Sequence, residues 1–223
     1  MPPEALDHLR RHRLLAVIRA ASADQAVASA RAVARGGLPV VEVTFTVPDA
    51  PRAIAALARE PGLVVGAGTV LTVADADAAL AAGARFIVAP NGHREVGARA
   101  LAAGVLWCPG AYTTSEIIAV REAGAQLVKV YPVGVAGGPA YIRVIRDPLP
   151  HVPMLAAGGT SLENVVPFLE AGCVACGLGG ALADPALAAA GAFDEIERRA
   201  RSFVERVQAY AAPQPAGRAA ATT

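Results

Sequence analysis

Lysine is nearly absent from this chain. Of its 20 basic residues, 19 are arginine and one, Lys129, is lysine. Cysteine is scarce as well: Cys108, Cys173 and Cys176 are too few, and odd in number, for a disulfide framework. A net charge of +1 gives no electrostatic ground for binding nucleic acid or an anionic membrane surface. No uninterrupted apolar run approaches the roughly 20 residues of a membrane span. The N-terminal MPPEALDHLRRHR also lacks the apolar centre of a signal sequence. A soluble, cytoplasmic protein is expected.

A metal set is missing too. His8, His12, His93 and His151 fall on helices or loops without a ligand-spaced partner at a strand end. Cys173 and Cys176 form a C-x-x-C pattern, but positions three apart on a strand face opposite sides, and no second pair completes a zinc set. Neither a metal nor a cofactor is expected.

What is abundant is aliphatic: 54% of the chain is hydrophobic and only 17% charged, which suits a buried parallel sheet. Short apolar runs alternate with Ala- and Arg-rich helical stretches. The runs are Leu14–Ile18, Val40–Thr44, Leu63–Val65, Phe86–Ala89, Val105–Cys108, Leu127–Val130, Met154–Ala157 and Val174–Gly177. Helix starts are marked by Ser22–Gln25, Thr72–Asp75, Thr113–Glu116 and Thr160–Glu163, each a hydroxyl followed three residues later by a side chain able to bond back. A helix from Pro3 to Arg11 precedes the first run, and a long one from about Asp194 to Ala211 follows the last. About eight strand–helix units spaced near 25 residues predict an α/β fold, a (β/α)8 TIM barrel with an extra N-terminal helix. Residues 1–211 read as a single domain, and 212–223, PQPAGRAAATT apart from its first residue, as a disordered tail. A doubly wound sheet is the rival, but no G-x-G-x-x-G follows the first strand.

Chemistry in such barrels gathers at the carboxyl ends of the strands, so polar residues inside apolar strands are informative. Lys129 stands between Val128 and Val130. An ammonium there is costly to keep charged, and a partly neutral amine attacks carbonyl carbon, which guanidinium cannot do. Glu42 lies among Val40, Val41 and Val43, and must be paired, hydrogen-bonded or protonated. It reads either as a structural ion-pair partner of Lys129 or Arg19, or as a proton-transfer group for imine chemistry. Arg19, ending the first strand, suits a substrate carboxylate, with Thr69 behind Gly66 and Gly68 as a second donor. The glycine loops Gly158-Gly159 and Gly179-Gly180 follow the last two strands, where many barrels hold phosphate on backbone amides. Tyr131 reads as core or pocket wall.

The runs GLPVVEVTFT at Gly37–Thr46, GAGTVL at Gly66–Leu71, FIVAPN at Phe86–Asn91, PGAYTTSE at Pro109–Glu116 and GAQLVKVYP at Gly124–Pro132, with the Gly158-Gly159 loop, resemble the 2-keto-3-deoxy-6-phosphogluconate/4-hydroxy-2-oxoglutarate aldolases of class I. The sibling enzymes acting on 2-keto-3-deoxy-6-phosphogalactonate share most of these motifs, and PNGHREV and GGPAYI look as much like that branch. The resemblance implies Schiff-base formation by Lys129, acid–base work by Glu42, and carboxylate binding by Arg19 and Thr69. It further implies a pyruvate pocket lined by Pro90, and phosphate on the amides of Gly158, Gly159, Gly179 and Gly180. The implied partner is a keto sugar acid phosphate, and the implied assembly a homotrimer. Thr46 stands where many relatives have arginine, and Gly180 where many have serine. An unphosphorylated substrate and a non-catalytic phosphate-binding barrel are the competing readings.

Overall fold

Each aliphatic run becomes a parallel strand in the computed structural model, which describes residues 4–211. The expected tail at 212–223 therefore lies outside the described residues. In chain order the elements are α1 (Glu4–His12), β1 (Leu14–Ile18), α2 (Ala23–Arg35), β2 (Val40–Thr44), α3 (Ala50–Leu57), β3 (Val64–Gly68), α4 (Val73–Ala81) and β4 (Phe86–Val88). There follow α5 (Arg94–Ala102), β5 (Leu106–Cys108), β6 (Gly110–Ala111), α6 (Thr114–Glu122), β7 (Val128–Val130) and α7 (Pro139–Arg146). The chain then runs through β8 (Met154–Ala157), α8 (Val165–Glu170), β9 (Ala175–Leu178), α9 (Pro185–Ala189) and α10 (Phe193–Ala211).

The nine strands form one sheet in the order β5-β4-β3-β2-β1-β9-β8-β7-β6, every pairing parallel. Its two ends, β5 and β6, are separated in sequence by Pro109 alone. Proline has no N–H to give the ladder, so the strand breaks there and a second one, not expected, follows as β6, while the Pro109 carbonyl still accepts from the Lys129 N–H at 2.8 Å. The barrel closes through this interruption. The run expected to end at Cys108 is thus extended: pairing resumes at Gly110.

Side-chain alternation sorts the strands into an outer and an inner set. Val41, Val43, Val128, Val130 and Trp107 pack outward against the helices. Leu15, Val17, Val40, Val64, Phe86, Val88, Leu106, Cys108, Leu127, Leu155 and Ala175 fill the interior, together with Ala5, Leu6 and Leu9 of α1. The amphipathic α1 thereby closes the amino-terminal end of the barrel, touching β1, β2, β5 and β9. Burying one such Leu or Phe contributes about 1.5–3 kcal/mol.

Capping boxes form at Thr72/Asp75 and Thr113/Glu116 as the sequence indicates. At Ser22 the hydroxyl accepts from the Gln25 N–H, while Gln25 reaches the N–H of Ala21. Thr160 does not cap: α8 starts later, after Asn164, and the Thr160 hydroxyl turns inward to the Gly177 carbonyl at 2.5 Å. The short α9, started by Asp184 and Pro185, was not foreseen.

Candidate active site

Lys129 follows Leu127 at the strand period, so its side chain enters the barrel interior, where it is 5% exposed. Glu42 follows Val40 in the same way and is 1% exposed. Among the described residues, no basic nitrogen comes within 4.0 Å of its carboxylate, and neither oxygen has a hydrogen-bond partner. The direct ion pair considered for Glu42 is therefore not formed. Burial pushes its carboxyl above the usual carboxylate range, with the charges of Lys129 and then Arg19 pulling the other way. A carboxyl whose affinity for its proton is raised, in the same barrel interior as an amine, is suited to shuttling protons during imine chemistry.

A cavity of about 480 Å³ opens at the carboxyl ends of β1, β7, β8 and β9. Arg19, Lys129, Tyr131, Gly158, Gly159, Gly179 and Gly180 all line it, joined by Val17, Ala157, Thr160, Gly177 and Ala181. Glu42 is not part of that wall and sits against Gly68 of β3. Thr69 follows β3 with a left-handed backbone (φ 56°) and is half-buried outside the lining. Pro90 lines a second cavity of about 290 Å³ with Asn91, Gly92 and Tyr112, and Tyr131 borders both spaces.

The glycine loops are built to offer amides. Gly158 and Gly159 take φ of 77° and 101°, which glycine adopts without steric cost. The Gly158 carbonyl accepts from the Gly134 N–H at 2.7 Å, and the Gly159 carbonyl from the Asn164 amide at 2.8 Å. By contrast, the N–H groups of Gly159, Thr160, Gly180 and Ala181 make no hydrogen bond among the described residues. The Arg19 guanidinium lies beside them, with Nη1 3.3 Å from where a Gly179 Cβ would stand. Free amides and one positive charge around one cavity suit an anion.

Sequence reasoning passed over Thr160 and Val17 as parts of the wall, and read Gly66 and Gly68 as loop. Both glycines belong to β3, and the bulky neighbours they accommodate, Phe86 and Glu42, were the signal that could have revealed it. The cysteines carry no comparable chemistry. All three are free and buried, and burial pushes the Cys173 thiol up to about 12.

The chain is similar to known proteins over most of its length. A family model described as "Aldolase: KDPG and KHG aldolase" matches residues 6–199. The chain is 36% identical over 200 residues to the 2-dehydro-3-deoxy-6-phosphogalactonate aldolase of Escherichia coli K12, covering 88% of this chain and 94% of that one. It is 37% identical over 191 residues to the 2-dehydro-3-deoxy-phosphogluconate aldolase of Treponema pallidum, covering 84% and 90%. The Legionella pneumophila KDPG aldolase, solved with pyruvate captured as a covalent carbinolamine intermediate, superposes with a TM-score of 0.83 at 25% identity, over 90% of this chain and 98% of that one. The match spans all nine strands of the barrel: the chain belongs to the KDPG and KHG aldolase family, whose members are carbon–carbon lyases.

Proposed function

We propose that the protein cleaves 2-keto-3-deoxy-6-phosphogluconate to pyruvate and glyceraldehyde 3-phosphate by Schiff-base chemistry. The observation that carries this reading is the placement of the chain's one lysine inside the barrel mouth, on the wall that also bears the two glycine loops. The Lys129 amine adds to the C2 carbonyl and loses water, leaving a protonated imine that accepts the electron pair of the C3–C4 bond. Glu42 takes the proton of the C4 hydroxyl, directly or through water, and the aldehyde departs. The enamine left on Lys129 gains a proton at C3, and hydrolysis frees pyruvate and the amine. Arg19 holds the carboxylate, and the amides of Gly158, Gly159, Gly179 and Gly180 receive the phosphate; Thr69 and Pro90, expected at the pyruvate end, stand outside this cavity.

Relatives named for the gluconate and the galactonate substrates align over similar lengths, so the C4 epimer is the second reading. Position 180 favours a third, 4-hydroxy-2-oxoglutarate, because a glycine there brings no hydroxyl to a phosphate. Incubation with pyruvate and borohydride is expected to add one reduced pyruvyl mass to the peptide holding Lys129; a folded protein with no adduct would overturn the imine mechanism. Side-by-side rates on the three substrates assign the specificity. We also propose a homotrimer in the cytoplasm: Tyr112 and Ile118 leave apolar surface exposed at the start and along the flank of α6, and sedimentation reads the assembly.

A further inference from the structure

β3 turns two glycines toward the barrel interior, and each leaves room for a neighbour. The register sets Glu42 of β2 opposite Gly66, and Ala67 opposite Ile87, which puts Phe86 of β4 level with Gly66 on its other side. A Cβ at Gly66 would lie 2.2 Å from the Phe86 ring, so the ring fills that space. The Glu42 carboxyl goes one step higher instead. A Cβ at Gly68 would lie 1.7 Å from Glu42 Oε1, 2.3 Å from Cδ and 2.5 Å from Cγ. Real Cβ atoms do not approach carboxylate atoms so closely. Gly68 has no left-handed φ, so its backbone would accept alanine and only space forbids it.

We infer that Gly68 is a positioning residue, whose missing side chain forms the seat that holds the Glu42 carboxyl buried beside β3. This rests on the acid–base role given to Glu42 above. Phe86 closes the lower alternative, and the ladder of β2 on β3 fixes the height of the seat. A methyl in the seat forces the carboxyl out of the position from which it exchanges protons with substrate, while Lys129 on β7, across the barrel, is untouched.

The test is Gly68→Ala, alone and in a Glu42→Ala background. Gly68→Ala is expected to lower kcat about a hundredfold while the borohydride-trapped pyruvate adduct still forms on Lys129. The acidic limb of its rate profile is expected to move to lower pH, because the displaced carboxyl is better solvated. In the Glu42→Ala background the methyl has room, so the same change alters residual rate less than twofold and shifts the melting temperature far less than in the parent. An unmoved pH profile, or equal losses in both backgrounds, overturns the inference. If Gly68→Ala does not fold, Gly68→Ala with Glu42→Asp, whose carboxyl is withdrawn by one methylene, is expected to fold; failure of that variant also overturns it. A parent protein that never forms the pyruvate adduct refutes the functional reading instead, and the melting-temperature comparison still decides the seat.

Discussion

Lys129 Nζ stands 5.1 Å from the centroid of the Tyr131 ring. A cation over a tyrosine face is stabilised by about 0.5–2 kcal/mol, according to how much water is excluded. The protonated imine carries a fixed positive charge at that same nitrogen, whereas the amine must be neutral to add to the carbonyl, so the ring favours the loaded lysine over the attacking amine. Tyr131→Leu is expected to raise the pyruvate concentration for half-maximal borohydride trapping about three- to tenfold. Tyr131→Phe, which keeps the ring, is expected to leave it unchanged.

Lys129→Met is expected to abolish the adduct and the cleavage without loss of the fold. An unpaired interior ammonium contributes little to stability, and a thioether of similar length fills its place. The melting temperature, read by fluorescence of Trp107, the chain's one tryptophan and fully buried, should be no lower than that of the parent. Retained cleavage would overturn the imine mechanism, whereas a parent that binds phosphate but never cleaves would favour the rival reading, a phosphate-binding barrel without catalysis.

Glu42 makes stability depend on pH with a definite sign. Burial raises its carboxyl in the folded state above the unfolded value, so the folded chain binds the proton more tightly. Its contribution is complete below the ordinary carboxylate range and is lost as pH rises through the raised value. The melting temperature should therefore decline across that window, and Glu42→Gln should flatten the decline. For catalysis the same shift places the acidic limb of kcat above the ordinary carboxylate range.

The two glycine loops should tolerate change unequally. Gly158 has φ 77°, and its Cβ would meet the Tyr131 ring at 2.9 Å, so Gly158→Ala combines backbone strain of about 1–2 kcal/mol with displacement of the ring. Gly180 has an ordinary φ and nothing within 4 Å of a Cβ. Gly180→Ser is expected to keep the melting temperature and lower KM for phosphorylated substrate about threefold or more, the worth of one added hydrogen bond. The comparison is made on both kinds of substrate, and no gain on the phosphorylated one would place the anion elsewhere.

Much of this was legible in the residues themselves. A lone charge within an apolar strand marked Lys129 and Glu42 as site residues, and the repeated strand–helix spacing gave the closed fold. What escaped were effects of tertiary packing. Thr160 with Glu163 matches a capping pattern, but its hydroxyl finds the Gly177 carbonyl across the ladder and the helix begins later. Glycine disfavours strands in isolation, so β3 looked short; Phe86 and Glu42 fill the space that the missing side chains leave. The separation of Pro90 and Thr69 from the main cavity is set by how β3 and β4 end, which no local motif encodes.

The scarcity of lysine has a practical consequence for surface chemistry. Every basic side chain outside the barrel mouth, histidines aside, is arginine. A reagent selective for ε-amines therefore has a single target, set 5% exposed in the reaction cavity. Acylation counted per chain becomes a direct titration of working sites once the α-amino group is discounted, and a ligand that shields Lys129 shields the whole chain from such reagents.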